Sequence, residues 1–210
     1  MNREGMALDS VSIRLGGREL LAIDAYVAPG DILTVMGPSG SGKSTLLAYI
    51  GGFLATGFLA KGAVWLGGED VTRLPAHQRR VGLLFQDALL FPHMSIGENL
   101  LFAIAPGEHT TRRRLAVAAL TEAGLDGFFD RDPATLSGGQ KARAALMRVL
   151  VSEPRALLLD EPFSRLDADL RSQVRQFVFD EARQRNLPVL LVTHDAADAE
   201  AAGGRVIRLG

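Results

Sequence analysis

The run Gly37-Pro38-Ser39-Gly40-Ser41-Gly42-Lys43-Ser44 fits the pattern G-x-x-x-x-G-K-[ST] without a mismatch. The chemistry open to it is narrow. Its glycines let the backbone curl until successive N–H groups point inward at anionic oxygens. A helix beginning at Lys43, with Thr45 in its first turn, adds a positive N-terminal end. Lys43 then reaches the β- and γ-phosphates of a nucleotide, and the Ser44 hydroxyl supplies a ligand for Mg²⁺. Alone, the loop specifies a nucleoside triphosphate and no more, because several classes of nucleotide enzyme share it.

A second site is written in Ala156-Leu-Leu-Leu-Asp160-Glu161, an apolar strand that ends in two acids. Adjacent buried carboxylates are costly unless something compensates them. A Mg²⁺ held through Asp160 offsets that cost. Glu161, one residue on, is expected to face the other way and to orient and deprotonate an attacking water. His194 lies two residues past another apolar run, Val189 to Val192, and Gln86 follows Val81 to Phe85 in the same manner. In a parallel sheet both would arrive at the carboxyl ends of strands, where ligands bind. Gln86 can turn its amide toward the water or the metal. Leu136-Ser137-Gly138-Gly139-Gln140 opens a further helix with Ser137 as N-cap. Its two glycines leave a second helix end open to an anion.

These residues need a scaffold of strands and helices. Leu8, Val11, Ile13 and Leu15 alternate weakly before Gly16-Gly17, which predicts a strand and hairpin. Ile32 to Met36, Ala63 to Leu66, Val81 to Phe85, Ala156 to Leu159, Val189 to Val192 and Val206 to Leu209 read as further strands. Helices are expected over Lys43 to Gly51 and Asp169 to Gln184. Another follows Ser137, with Ala142, Ala145, Leu146, Val149 and Leu150 on one face and Pro154 as its stop. Residues 87–135, with the Arg112-Arg113-Arg114 run and the Ala-rich Leu115 to Ala123, predict a helical insertion. Strand, helix, strand in this order means an α/β fold with a parallel sheet. The near charge-free stretch Tyr49 to Gly68 approaches the length of a membrane span, but its six glycines and Lys61 favour helix, loop and strand.

Bulk properties agree with one ordered, soluble domain of 210 residues: 47 % hydrophobic and 22 % charged, with net charge −1. That balance argues against a general nucleic-acid binder. The absence of cysteine excludes disulfides and thiolate metal sites, in keeping with a reducing compartment. No signal peptide is visible at the N-terminus.

In this order the motifs resemble the ATP-binding-cassette (ABC) family: phosphate loop, Gln86, LSGGQ, Asp160-Glu161, Ser164-Arg-Leu-Asp167 and His194. The resemblance covers almost the whole chain, and FQDALLF, DPATLSGGQ and LLLDEPFSRLD are similar to a bacterial subgroup of import ATPases. It implies a P-loop NTPase (RecA-like) core with a parallel sheet, a small antiparallel β subdomain and an inserted helical subdomain. The chain is then a single ATP-binding domain, with 1–86 and 136–210 as catalytic core and 87–135 as the helical subdomain. It further implies ATP and Mg²⁺ as cofactors, Ser44, Gln86 and Asp160 at the metal, and Glu161, His194 and Gln86 in catalysis. Two copies would pack head to tail, with Ser137, Gly138, Gly139 and Gln140 of one capping ATP on the loop of the other, and Asp167 at the contact. Transmembrane permease subunits would dock on the helical subdomain, and a solute-binding protein would complete an importer on the inner face of the cell membrane; nucleic acid is not an implied partner. Phe91 to Asn99 looks like the importer version of that insertion.

Two departures from the family pattern stand out. Leu15 occupies the position where family members usually place an aromatic residue against adenine; losing such a stack weakens binding by roughly ten- to a hundred-fold. The chain ends soon after Val206 to Leu209, so regulation through a C-terminal domain is not expected. Competing classes are a cassette protein acting on nucleic acid, for which coiled-coil insertions or basic extensions would be needed, and a cassette ATPase driving lipoprotein release or cell-division signalling.

Overall fold

The computed structural model describes residues 4–209. Its contacts divide into two compact units, one made of 1–83, 155–161 and 179–210, the other of 84–154 and 162–178.

The first unit contains an antiparallel sheet of order β2-β1-β4-β5, from β1 (Met6–Leu15), β2 (Arg18–Val27), β4 (Phe58–Leu66) and β5 (Glu69–Asp70). Leu8 and Val11 are an odd number of residues apart, yet both are fully buried. A bulge reconciles them: the register with β2 slips between these residues, and Ser10 takes φ 49° while its N–H donates to Asp24 at 3.0 Å. Gly62 faces the bulge, where a Cβ would stand 2.5 Å from the Ser10 carbonyl oxygen. That glycine interrupts the strand pattern of β4, so β4 begins at Phe58 and not at the expected Ala63.

The larger sheet has the order β6-β7-β8-β3-β9, with β6 (Val81–Leu84), β7 (Ala156–Asp160), β8 (Val189–Thr193), β3 (Ile32–Met36) and β9 (Val206–Arg208). Strands β7, β8, β3 and β9 run parallel. The apolar runs of β7 and β8 are buried, as central parallel strands require. The helix α1 (Lys43–Gly51) buries Leu46, Leu47 and Ile50 in one cluster with inward residues of both sheets, among them Leu8, Ile13, Val35, Leu158 and Val192. Each such side chain contributes about 1.5–3 kcal/mol by leaving water. Two short helices, α2 (Ala76–Arg79) and α7 (Ala196–Ala202), also belong here.

The second unit is helical: α3 (Ile96–Ala103), α4 (His109–Glu122), a 3₁₀ turn at Pro133–Thr135, α5 (Gly138–Leu150) and the part of α6 (Ala168–Gln184) up to Val178. Arg112 is no merely solvated charge, because its guanidinium donates to the carbonyls of Leu101 and Ile104 at the end of α3. On α5 the buried face includes Ala144, Ala145, Leu146, Met147 and Leu150, whereas Ala142 and Val149 are half-buried, so it is rotated from the expected stripe. No helix of the described residues is long and apolar enough to cross a membrane.

Candidate active site

Loop 37–42 leaves β3 and enters α1 with Gly40 at φ 84° and Gly42 at φ 88°. A side chain at Gly42 would have its Cβ 2.9 Å from Leu21 of β2, so only glycine lets the loop lie against the antiparallel sheet. Lys43 is only 7 % exposed, and its Nζ donates to the carbonyls of Gly37 at 2.7 Å and Pro38 at 2.8 Å. The ammonium therefore holds the loop curled. The Ser41 hydroxyl is buried within the loop without a hydrogen-bond partner. The first N–H groups of α1 have no intrahelical acceptor and point out of its start.

The two carboxylates at the end of β7, Asp160 as its last residue and Glu161 just past it, take different partners. Asp160 Oδ1 accepts from the Ser44 hydroxyl at 3.1 Å. Burial pushes the Asp160 carboxyl above its ordinary value and the Glu161 carboxylate adds to that, while the Ser44 hydrogen bond and the Lys43 charge oppose it. Glu161 has left strand geometry, with φ 48°, yet its N–H still donates to the Val192 carbonyl at 2.9 Å. A left-handed non-glycine residue costs on the order of 1 kcal/mol and is concentrated at functional sites. Its Oε1 lies 3.1 Å from His194 Nδ1.

The turn bearing His194 is held by a network the motifs do not announce. Thr193, buried in β8, donates its hydroxyl to Asp198 at 3.1 Å and accepts from the Asp195 N–H at 3.0 Å. Asp195 then caps α7 by accepting from the Ala197 N–H at 2.8 Å. Because β7 and β8 are neighbouring parallel strands, their ends bring Glu161 and His194 together.

A cavity of about 470 Å³, within the usual range for small-molecule sites, opens beside the loop and Glu161, while His194 lines a separate cavity of about 350 Å³ with Gly37 and Pro38. Ser39, Gly40, Gly42, Lys43, Ser44, Thr45 and Glu161 line the larger cavity, and its apolar end is made by Leu15, Leu20 and Phe58. The first unit thus unites the phosphate loop, Asp160, Glu161, His194 and Leu15. Leu20 and Phe58 belong to no motif and are legible only from the packed strands.

Gln86 and the LSGGQ residues lie in the second unit. Gln86 lines a cavity of about 150 Å³ with Gly138, Lys141 and Arg165, beside an Arg165–Asp87 ion pair. Ser137 closes a capping box: its Oγ accepts from the Gln140 N–H at 3.3 Å, and Gln140 Oε1 accepts from the Ser137 N–H at 2.9 Å. Gly138 is exposed, but Gly139 is buried, where a Cβ would meet Leu170 Cδ1 at 2.4 Å. The second glycine is therefore required by packing as well as by an open helix end. Asp167 Oδ1 accepts from the Leu170 N–H at 3.0 Å and caps α6.

Residues 20–164 match the family described as ABC transporter. The chain is similar to the ABC transporter ATP-binding protein YnjD of Escherichia coli, at 51 % identity over 198 residues, covering 93 % of this chain and 91 % of the relative. It is 43 % identical over 203 residues to the thiamine import ATP-binding protein ThiQ of Cereibacter sphaeroides, covering 95 % and 86 %. With the Fe(3+) ions import ATP-binding protein FbpC 1 of Rhizobium meliloti it shares 40 % identity over 183 residues, covering 86 % of this chain and 51 % of the relative.

Proposed function

The chain belongs to the ABC transporter family as an ATP-binding, ATP-hydrolysing subunit, and from that premise we propose that it is the energy-coupling subunit of a membrane importer. Relatives named for thiamine and Fe(3+) import support the direction of transport. The observation that carries the site assignment is that Ser44 and Glu161, which line the cavity of the phosphate loop, are each held from behind it, Ser44 by its hydrogen bond to Asp160 and Glu161 by its contact with His194.

The residues present fit a magnesium nucleotide. The glycine cradle, the unpartnered Ser41 hydroxyl and a lysine satisfied only by loop carbonyls suit an anionic guest. The hydroxyl and carboxylate of Ser44 and Asp160 suit a hard cation that keeps phosphate and water among its ligands. When bound, MgATP supplies the transferable phosphoryl group and the charge that draws electrons toward it. The loop N–H groups and Lys43 grip the phosphates, with Lys43 exchanging its carbonyl contacts for phosphate oxygens. Ser44 and Asp160 hold the ion. Glu161 takes the proton of the attacking water, and His194 keeps that carboxylate turned to receive it. Gln86 enters this reading through the family resemblance alone.

In the same reading, Ser137 to Gln140 of a second copy complete the site in a head-to-tail dimer. Segments 1–86 and 136–210 form the catalytic core, and 87–135 receives the permease subunits, with a solute-binding protein in the assembly and the chain peripheral on the inner membrane face. Glu161→Gln tests the assignment. The amide keeps the shape and can still accept from His194, but it cannot take a proton at neutral pH. Hydrolysis should fall by about 10²–10⁴-fold while ATP still binds and drives dimerisation on gel filtration. Normal phosphate release by the variant would refute the general-base role.

A further inference from the structure

The cavity beside the phosphate loop has an apolar end, made by Leu15, Leu20 and Phe58. Leu15 closes β1 and Phe58 opens β4, and they are direct partners in the antiparallel ladder. Directly opposed residues project from the same face of a sheet, about 4.5–5.5 Å apart at Cβ. The next residue, Leu59, points to the other face and is 69 % exposed. Phe58 is partly buried against the hydrophobic cluster that contains α1, and it also lines the cavity. Gly57, at φ 96°, turns the chain abruptly into the first rung of β4. The ring is thus anchored on a strand and held by packing, so little side-chain entropy remains to be lost on contact with a ligand.

Leu15, at 44 % exposed, and Leu20 offer aliphatic contact only. Among the described residues that line the cavity, Phe58 is the one aromatic. We propose that the Phe58 ring, across the ladder from Leu15, is the stacking platform for the base of the nucleotide whose phosphates the Gly37–Ser44 loop binds. This inference rests on the nucleotide-binding reading above and adds the residue that recognises the base. Phenylalanine brings a π-face and no hydrogen-bonding group, so the platform favours a planar base without choosing between adenine and guanine.

The test is calorimetric titration of the purified chain with MgATP, MgGTP and inorganic triphosphate, the last probing the phosphate loop without a base. Phe58→Leu should raise the dissociation constants of MgATP and MgGTP together by about 5- to 150-fold, the range expected for losing one base–aromatic stack. Inorganic triphosphate should bind the variant as it binds the parent. Phe58→Trp should keep MgATP affinity, and its added indole emission should be quenched by ATP over the background of the single Trp65. Leu15→Tyr should change affinity less than Phe58→Leu. Unchanged ATP affinity in Phe58→Leu overturns the proposal, and so does an equal loss of ATP and triphosphate, which would mean that the ring acts through the loop. If the parent binds neither ATP nor triphosphate, the nucleotide reading itself fails and this inference falls with it. If the parent binds both, Lys43→Ala abolishes both and Phe58→Leu changes neither, only the platform is wrong.

Discussion

Arg79 sits at the end of α2, 5 % exposed, and its guanidinium donates to four backbone carbonyls: Leu74 at 2.8 Å, Tyr49 at 2.8 Å, Ile50 at 2.9 Å and Thr72 at 2.6 Å. Two of those carbonyls terminate α1, the helix whose first residue is Lys43. The charge stands at the negative end of the helix dipole, and the planar fork matches several acceptors at once. Gly52 completes the fit, since a Cβ there would stand 2.6 Å from Arg79 Nε. Hydrogen bonds from a charged donor are worth about 1.5–3 kcal/mol each, so four together exceed what one residue ever contributes. Burial opposes them and draws the guanidinium below its usual value. Truncating Arg79 leaves four carbonyls without their donor, offset in part by the burial cost no longer borne, for a net loss of about 3–5 kcal/mol. For a chain of this size that lowers the melting temperature by about 6–20 °C.

Arg79→Ala and Arg79→Met should be compared with the parent by calorimetric melting and urea denaturation. Methionine restores the stem's apolar volume but none of the donors, so it should recover less than half of the loss. At low temperature, where both variants stay folded, the ATP dissociation constant should rise only modestly, because the contact is at the far end of α1 from Lys43. A fall of less than about 3 °C for Arg79→Ala, or full recovery by methionine, would refute the reasoning that carbonyl satisfaction holds this helix end.

Two further outcomes follow from packing in the helical unit. Gly139→Ala forces Leu170 aside, and overpacking of about 1–3 kcal/mol outweighs the roughly 1 kcal/mol gained in helix propensity; urea denaturation should show a net loss, relieved in the double variant with Leu170→Ala, and a stabilised Gly139→Ala would contradict the contact. The buried Asn99 amide accepts from the Phe91 N–H at 2.8 Å and donates to the carbonyls of Phe91, Met94 and Ser95. Asn99→Ala should cost about 2–4 kcal/mol and accelerate amide hydrogen exchange across residues 91–95, while unchanged exchange there would show that the loop is held otherwise.

Much of this protein is legible before any folding is considered. The phosphate loop is a local device: its glycines, Lys43 and Ser44 must be contiguous because one turn of backbone makes the cradle. The apolar strands before Asp160 and before Thr193 are legible for the same reason, since a strand buried on both faces leaves an unbroken run. The capping box of Ser137 and Gln140 is likewise local, within reach of one helical turn.

The rest depends on residues that are distant in sequence and became neighbours only in the fold. Leu8 and Val11 look mismatched until the bulge at Ser10, facing Gly62, places both inside. Strand alternation alone would turn Glu161 away from Asp160, but the left-handed backbone at φ 48° and the neighbouring strand carrying His194 decide what it meets. Arg79 belongs to no motif and no periodic pattern, and only the fold makes it the clamp on α1. Leu15, taken alone, marks a missing aromatic; its cross-strand neighbour Phe58 shows that the cavity has one after all. Periodicity and contiguous motifs report interactions within a turn or a strand, so they disclose the loop proposed to hold the phosphates. Who stands opposite whom is set by register and sheet order, and only the tertiary structure contains those.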